Sequence, residues 1–272
     1  MISHSAAGVA GKAKRSDVLQ ALARLGFAVN GLLHILIAAL AIAIAVGGGG
    51  GGGTADQSGA LGQLSQSPGG VFVLWTVVVG MAALALWLIL GAFLMKGGDP
   101  KRKWSHRAAE VGKAVAYLGL AGTAATFAFG GSTSSSGSTR DTSAGLMATP
   151  GGVFVLVAVG LVVLAIGAYF VWKGLLQKFT ADISVPSGAA GKAIIGLGVV
   201  GYVAKGIALG VVAVLILVAA FTLDPSKSTG LDGALKSLTA LPYGGVILGA
   251  IAIGLIAYGA YCFARAWRAR LS

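Results

Sequence analysis

The sequence predicts an all-α, polytopic membrane protein whose six transmembrane helices form three parallel two-helix repeats in a pseudo-three-fold arrangement. Three observations predict this class: the composition, six long apolar runs and an internal repeat. Of the 272 residues, 56% are hydrophobic, only 10% are charged and 45 are glycine, and the mean hydropathy is +0.88. Soluble domains carry about 25% charged residues. The composition therefore excludes a typical soluble enzyme and indicates a chain that lies in a bilayer.

Six stretches are long and apolar enough to cross a hydrocarbon core of about 30 Å as helices. None contains proline, and none alternates apolar and polar residues as barrel strands do. The first is too long for the apolar core of a secretory signal, so it is predicted to be a span. The six stretches are residues 22–46, 71–95, 111–129, 153–172, 198–221 and 246–263.

The basic residues predict the orientation, because lysine and arginine are concentrated in cytoplasmic segments. Only Arg140, Lys227 and Lys236 lie in the first, third and fifth loops, whereas the other 17 of the 20 lie on the opposite side. We therefore predict cytoplasmic amino and carboxyl termini, with anionic lipids attracted to that side of the bilayer. This distribution accounts for the net charge of +12, so no nucleic-acid partner is predicted.

An internal repeat divides the chain. The seven residues from Pro68, Pro-Gly-Gly-Val-Phe-Val-Leu, recur from Pro150, and a looser copy begins at Pro242. We predict a cytoplasmic tail at residues 1–20 and three repeats at 21–98, 105–178 and 189–268, all within one membrane domain. An aromatic residue follows each proline by 19 positions: Trp87, Tyr169 and Tyr261.

The first helices of the repeats also match. Residues 26–31 read Gly-Phe-Ala-Val-Asn-Gly and residues 201–206 read Gly-Tyr-Val-Ala-Lys-Gly, while the middle copy keeps the aromatic Tyr117. Leucines three apart in residues 59–64 and 233–238 predict a short amphipathic helix on the outer leaflet, which ends before the proline.

These features resemble a domain-of-unknown-function family of bacterial, mainly actinobacterial, membrane proteins with three tandem two-helix repeats. The resemblance rests on Gly-aromatic-x-x-polar-Gly, on Ala-Leu and on Pro-x-Gly in successive repeats, and it covers about residues 21 to 268. It implies a basic residue at the polar position, where Lys205 fits but Asn30 and Leu120 differ. It implies no established activity, so it predicts the architecture and leaves the function open.

Polar side chains inside the spans are the candidate functional positions, because ionisable groups are costly in hydrocarbon. His34 lies in the middle of the first span, with Asn30 one turn before it on the same face. A hydrogen bond from His34 to a neighbouring helix is the favoured interpretation, and a relay or ligand-binding role is the alternative.

Lys205 is expected about four residues inside the start of the fifth span, where its stem can snorkel to the cytoplasmic interface. Alternatively, Lys205 and Asn30 line a vestibule for an anion or a lipid headgroup, with Tyr202, Tyr117 and Phe27 around its rim.

Glycines four apart, at Gly206 and Gly210 and at Gly245 and Gly249, favour close helix packing, either within the chain or between copies. The glycine tract at residues 47–53 and the serine-rich stretch at 132–138 are typical of flexible linkers. Helices that fill their own centre are favoured over a central cavity.

No catalytic, cofactor or metal motif is present, and the single cysteine, Cys262, excludes an internal disulfide. A haem ligand pair would need a second intramembrane histidine, but His4 and His106 lie in the tail and a loop. The leading prediction is a non-enzymatic scaffold or accessory subunit without cofactors, which binds membrane proteins or lipids or forms a homo-oligomer. The alternative is a small-solute or ion transporter or channel with a polar path near the first and fifth spans.

Overall fold

The computed structural model describes residues 16–47, 54–94 and 100–270, which form helices joined by turns, with no β-strand among them. The predicted tail up to residue 15, residues 48–53 of the glycine tract, and residues 95–99 and 271–272 lie outside the described residues. Six helices are long and apolar enough to cross a bilayer, as predicted: α1 (Asp17–Ala45), α3 (Gly70–Leu94), α4 (Pro100–Ala128), α6 (Gly152–Leu175), α7 (Gly188–Thr222) and α9 (Gly244–Arg268). Shorter helices precede the second span of each repeat: α2 (Gln57–Ser65), α5 (Ser135–Met147) and α8 (Gly230–Leu238).

Two membrane helices begin about ten residues before the apolar runs that predicted them. Helix α4 begins at Pro100 rather than near Val111, and α7 begins at Gly188 rather than Gly198. Hydropathy detects only the apolar part of a helix, whereas the first turns of both helices also carry lysine. The 35 residues of α7 extend over about 52 Å at 1.5 Å per residue, well beyond a hydrocarbon core of about 30 Å.

The short helices confirm one prediction and correct another. Helices α2 and α8 contain the two leucine-bearing segments, although their position on the outer leaflet stays a prediction. The serine-rich stretch predicted as a linker instead enters α5. Ser134 Oγ accepts a hydrogen bond from the N–H of Gly137 (3.0 Å), which caps the start of this helix. Composition indicated a linker because it takes no account of such a cap.

The same turn follows the repeated proline in all three repeats. Pro68, Pro150 and Pro242 each stand between a short helix and the membrane helix that begins two residues later. The residue after the proline has a positive φ in all three repeats: 74° at Gly69, 78° at Gly151 and 59° at Tyr243. Glycine adopts this conformation without a steric penalty, so the first two copies use the residue type that the turn favours.

The described residues belong to two compact units, one within Met1–Asn30, Leu64–Gly131 and Cys262–Ser272 and the other within Gly31–Gln63 and Ser132–Tyr261. In the first unit α3 packs along α4, and in the second α6 packs along α7. Each pair joins the second helix of one repeat to the first helix of the next. The pseudo-three-fold arrangement of the whole chain stays a prediction.

Helix α9, the second membrane helix of the third repeat, packs against α1, the first membrane helix of the first repeat. In the second unit, a Cβ added at Gly245 of α9 would lie 3.0 Å from the carbonyl oxygen of Ala45, whereas one added at Gly249 would meet no atom within 4 Å. In the first unit, the Arg24 guanidinium donates to the backbone carbonyls of Ala266 and Trp267, near the end of α9. A cation is stabilised there by the unpaired carbonyls and the dipole of the helix.

Glycines line the contact between α6 and α7. Gly160, Gly167 and Gly174 are buried at seven-residue intervals along α6, so they lie on one side of the helix. A Cβ on Gly167 would lie 2.9 Å from the carbonyl oxygen of Gly206 and 3.1 Å from the amide nitrogen of Gly210. Gly206 therefore serves packing within the chain, one of the two predicted roles of its motif, whereas a Cβ added at Gly210 would meet no atom within 4 Å.

Polar contacts connect the loops and short helices of the three repeats within the second unit. One bond joins the first repeat to the second, another joins the second to the third, and another joins the third to the first. We call the six residues of these bonds the polar ring. The bonds are Ser136 Oγ to Asp56 Oδ2 (3.3 Å), Ser143 Oγ to Ser228 Oγ (2.8 Å) and Ala55 N to Asp232 Oδ1 (2.7 Å).

Candidate functional site

Tyr202 and Tyr261, both selected from the sequence, meet in the second unit. Tyr202 stacks on Phe179, with ring centroids 5.3 Å apart, and lies 5.5 Å from Tyr261 and 5.3 Å edge-on from Tyr258. Offset and edge-to-face pairs of this kind add stability beyond the burial of apolar area. We call these residues and Phe170, whose ring is 5.9 Å from Tyr202, the aromatic cluster.

Three glycines make room for the aromatic cluster. Gly198 faces the ring of Phe179, which a Cβ at this position would overlap. An added Cβ at Gly201 would lie 2.5 Å from the Cα of Tyr258, and one at Gly174 would lie 3.0 Å from the Cβ of Tyr202. The helices can approach each other closely here because these positions lack side chains.

Lys205 lies against the aromatic cluster. Its Nζ is 4.3 Å from the ring centroid of Tyr258 and 5.3 Å from that of Phe170, so cation–π attraction stabilises the ammonium. Because α7 begins at Gly188, Lys205 lies in the middle of the helix and not four residues inside its start, as the sequence predicted. Its snorkelling to the interface stays a prediction.

His34 contacts α9 through its ring. The imidazole is 9% exposed, and its centroid lies 4.7 Å from that of Tyr258 at an interplanar angle of 56°. The histidine therefore takes part in a helix contact, while its predicted hydrogen bond to a neighbouring helix stays a prediction. The same tyrosine contacts His34, Lys205 and Tyr202, so three of the four predicted intramembrane positions converge on one residue that the sequence did not single out.

Asn30 contacts Cys262 within the first unit. Its side chain is 5% exposed, and its Nδ2 lies 3.5 Å from the Sγ of Cys262 in a weak hydrogen bond between α1 and α9. The sequence offered no signal that paired these two residues. A vestibule lined by Asn30 and Lys205 stays a prediction.

The aromatic residues at matched positions of the three repeats lie in different environments. In the first unit, Trp87 packs against a core that contains Phe27, and Tyr117 packs against the same core. Phe27 is buried beneath the Arg265 guanidinium, whose Cζ lies 4.3 Å from its ring centroid. Tyr169, in contrast, is half exposed. The matched aromatic positions are therefore more deeply packed in the first and third repeats than Tyr169 is in the second.

A 3-10 helix, Lys178–Asp182, contributes a residue that sequence reasoning missed. Phe179 of this turn is fully buried, and its carbonyl oxygen accepts a hydrogen bond from the Tyr261 hydroxyl (3.4 Å). The turn is also attached to α6, because Lys173 Nζ lies 2.7 Å from Asp182 Oδ2. Only the folded structure brings this loop phenylalanine to two tyrosines from other helices.

The chemistry available to this arrangement is that of aromatic stacking, cation–π attraction and hydrogen bonding between helices. Within residues 16–47, 54–94 and 100–270, no three His, Cys, Asp or Glu side chains converge on a position for a metal ion.

Comparison with known proteins identifies the repeats. The model of the Domain of Unknown Function family DUF1206 matches residues 25–94, 109–177 and 200–269. The uncharacterized protein YxxB of Bacillus subtilis (strain 168) is 31% identical over 247 residues, which cover 88% of this chain and 86% of the relative. No solved structure matches the chain. With three tandem matches that together cover most of its length, the chain belongs to the DUF1206 family.

Proposed function

We propose that this membrane protein is a non-enzymatic scaffold or accessory subunit, which binds another membrane protein through a glycine-bearing face of α4. In this proposal the protein lies in a bacterial inner membrane with both termini in the cytoplasm. The basic residues at the cytoplasmic ends of the helices attract anionic lipids there. Nucleic acid has no part in the proposed function.

The engagement of the intramembrane polar residues in helix contacts carries the proposal. Asn30 is buried against Cys262 and His34 against Tyr258, each in a contact between α1 and α9. A scaffold needs polar side chains that fix its own helices, whereas a transporter needs them to meet water or solute. The observed contacts support the scaffold.

A comparison between the repeats supports α4 as the binding face. Gly26 packs against the backbone of α3 in the first repeat, and Gly201 packs against α9 in the third. The matched residue of the second repeat, Ala116, is exposed. Gly112 and Gly119 lie near it on α4, and a Cβ added to either would meet no atom within 4 Å. Small residues at such spacing allow a further helix to approach closely.

Affinity purification from native membranes in mild detergent, with mass spectrometry of the co-purifying proteins, tests this proposal. We expect a stoichiometric membrane partner with the native chain and its loss from Gly119→Leu. The leucine has open space in the chain itself, so the fold is expected to persist. Gly196→Leu on α7, where a Cβ also meets no atom within 4 Å, is the matched control and should retain the partner. A lone monomer, or a homo-oligomer that Gly119→Leu leaves unchanged, contradicts the proposal.

Thiol labelling separates the scaffold from a transporter. Cysteine is placed at Asn30 or His34 in a Cys262→Ala background, and open membranes are treated with a water-soluble maleimide. We expect less than about a tenth of the labelling seen with Ser138→Cys, which lies on an exposed position, because buried side chains do not meet water. Labelling of both buried positions as fast as the control would favour a water-filled path.

A further inference from the structure

The 3-10 helix Lys178–Asp182 holds two adjacent side chains in different environments. Phe179 is locked into the aromatic cluster by rings on two sides and by the Tyr261 hydroxyl. Lys178 is exposed, and its Nζ lies 3.9 Å from the ring centroid of Trp172. The lysine therefore belongs to a fixed turn and not to a mobile loop, so less side-chain entropy is lost when its ammonium binds an anion.

Trp172 lies where a helix that spans the bilayer reaches the interface. It stands 20 residues after Gly152, the first residue of α6, and 20 residues of helix extend over about 30 Å, the thickness of a hydrocarbon core. Its ring is 44% exposed and lies 5.8 Å from that of Tyr169, which is 50% exposed. Tryptophan and tyrosine favour the headgroup level of a membrane.

The surface next to these rings is apolar and uncovered. Only 17% of the most apolar 18-residue stretch of α6 is buried. Its exposed residues include Val162 and Ile166, on the turns that precede Tyr169. The exposed ammonium of Lys178 is available to an anion, whereas the ammonium of Lys173 is already paired with the Asp182 carboxylate. A cation above one ring of an aromatic pair, followed by an apolar helix surface, complements a phosphate with attached acyl chains.

We propose that Lys178, Trp172 and Tyr169 form a binding site for the headgroup of an anionic phospholipid, with the acyl chains along the exposed face of α6. The phosphate accepts hydrogen bonds from the Lys178 ammonium, while the two rings flank the glycerol region. This site rests on the lipid attraction included in the proposed function and assigns it to named residues, but it needs no protein partner and lies in the other compact unit from α4.

Native mass spectrometry of the full chain in mild detergent tests the site. The protein is titrated with phosphatidylglycerol and, separately, with phosphatidylcholine of the same acyl chains. We expect the anionic lipid to bind about fivefold more tightly, the contribution typical of one interfacial lysine. Lys178→Gln should lower this preference and Lys178→Arg should preserve it.

Lys192→Gln, at an exposed position near the start of α7, is the matched control and should keep the preference. Equal binding of both lipids to the native chain would overturn the proposal, as would an unchanged preference in Lys178→Gln. Soluble glycerol phosphate should compete poorly, and competition as strong as that of the phospholipid would assign the site to a free phosphate. Loss of the α4 partner in the purification experiment would leave all these outcomes unchanged.

Discussion

Gly201→Leu is expected to cause the largest loss of stability among the substitutions considered, at least about 3 kcal/mol, the upper end of the usual cost of overpacking. Even a Cβ at this position would lie 2.6 Å from the amide nitrogen of Tyr258, so the obstacle is the backbone of α9 and not a flexible side chain. Helix α7 would have to move away from α9. This movement would separate Tyr202 from Tyr258 and Lys205 from the same ring.

The experiment compares thermal unfolding of purified protein in mild detergent, followed by size-exclusion chromatography. A loss of 3 kcal/mol corresponds to a fall in melting temperature of about 6–12 °C for a chain of this size. Gly196→Leu, five residues earlier on α7, adds the same side chain where no atom lies within 4 Å. This control should melt at or above the native temperature, because leucine favours a helix more than glycine does. Equal melting of both variants would show that α7 and α9 do not pack closely at Gly201.

The membrane helices and the repeats were predictable because their signals are local in the sequence. An apolar run of about 20 residues predicts a span wherever it lies, and the heptapeptide repeated at Pro68 and Pro150 needs no folded structure to be recognised. The short helices α2 and α8 were predicted for the same reason, since leucines three apart define an apolar side. The family assignment rests on these same features and leaves the scaffold function a proposal.

The partners of the candidate residues could not be predicted, because they come from distant parts of the chain. Cys262 lies 232 residues from Asn30, and Phe179 lies 82 residues from Tyr261. At α5 the serine-rich composition wrongly predicted a flexible linker, because serine side chains cap this helix and form hydrogen bonds to other repeats. The sequence also offered no signal that the folded chain buries the Asp56 carboxylate completely.

Asp56→Ala is expected to lower the free energy of unfolding by about 2–4 kcal/mol, because it removes a buried charged acceptor from the polar ring and leaves its donors unpaired. Asp56 Oδ1 accepts hydrogen bonds from the Ser58 hydroxyl at 2.7 Å and from the Gly59 N–H at 2.9 Å, at the start of α2. Its Oδ2 accepts from the Ser136 hydroxyl of the next repeat, at 3.3 Å. The substitution therefore removes a helix cap and a bond between repeats together.

Thermal unfolding measures the loss, and hydrogen exchange locates it. The melting temperature should fall by about 4–16 °C, and the amides of α2 and α5 should exchange faster, while those of α3 and α4 keep their native rates. Asp56→Asn retains one oxygen acceptor and should lose less. Asp141→Ala, which removes an exposed carboxylate from α5, is the control and should melt like the native chain. If Asp56→Ala also melted like the native chain, the polar ring would not connect the repeats energetically, whatever its geometry.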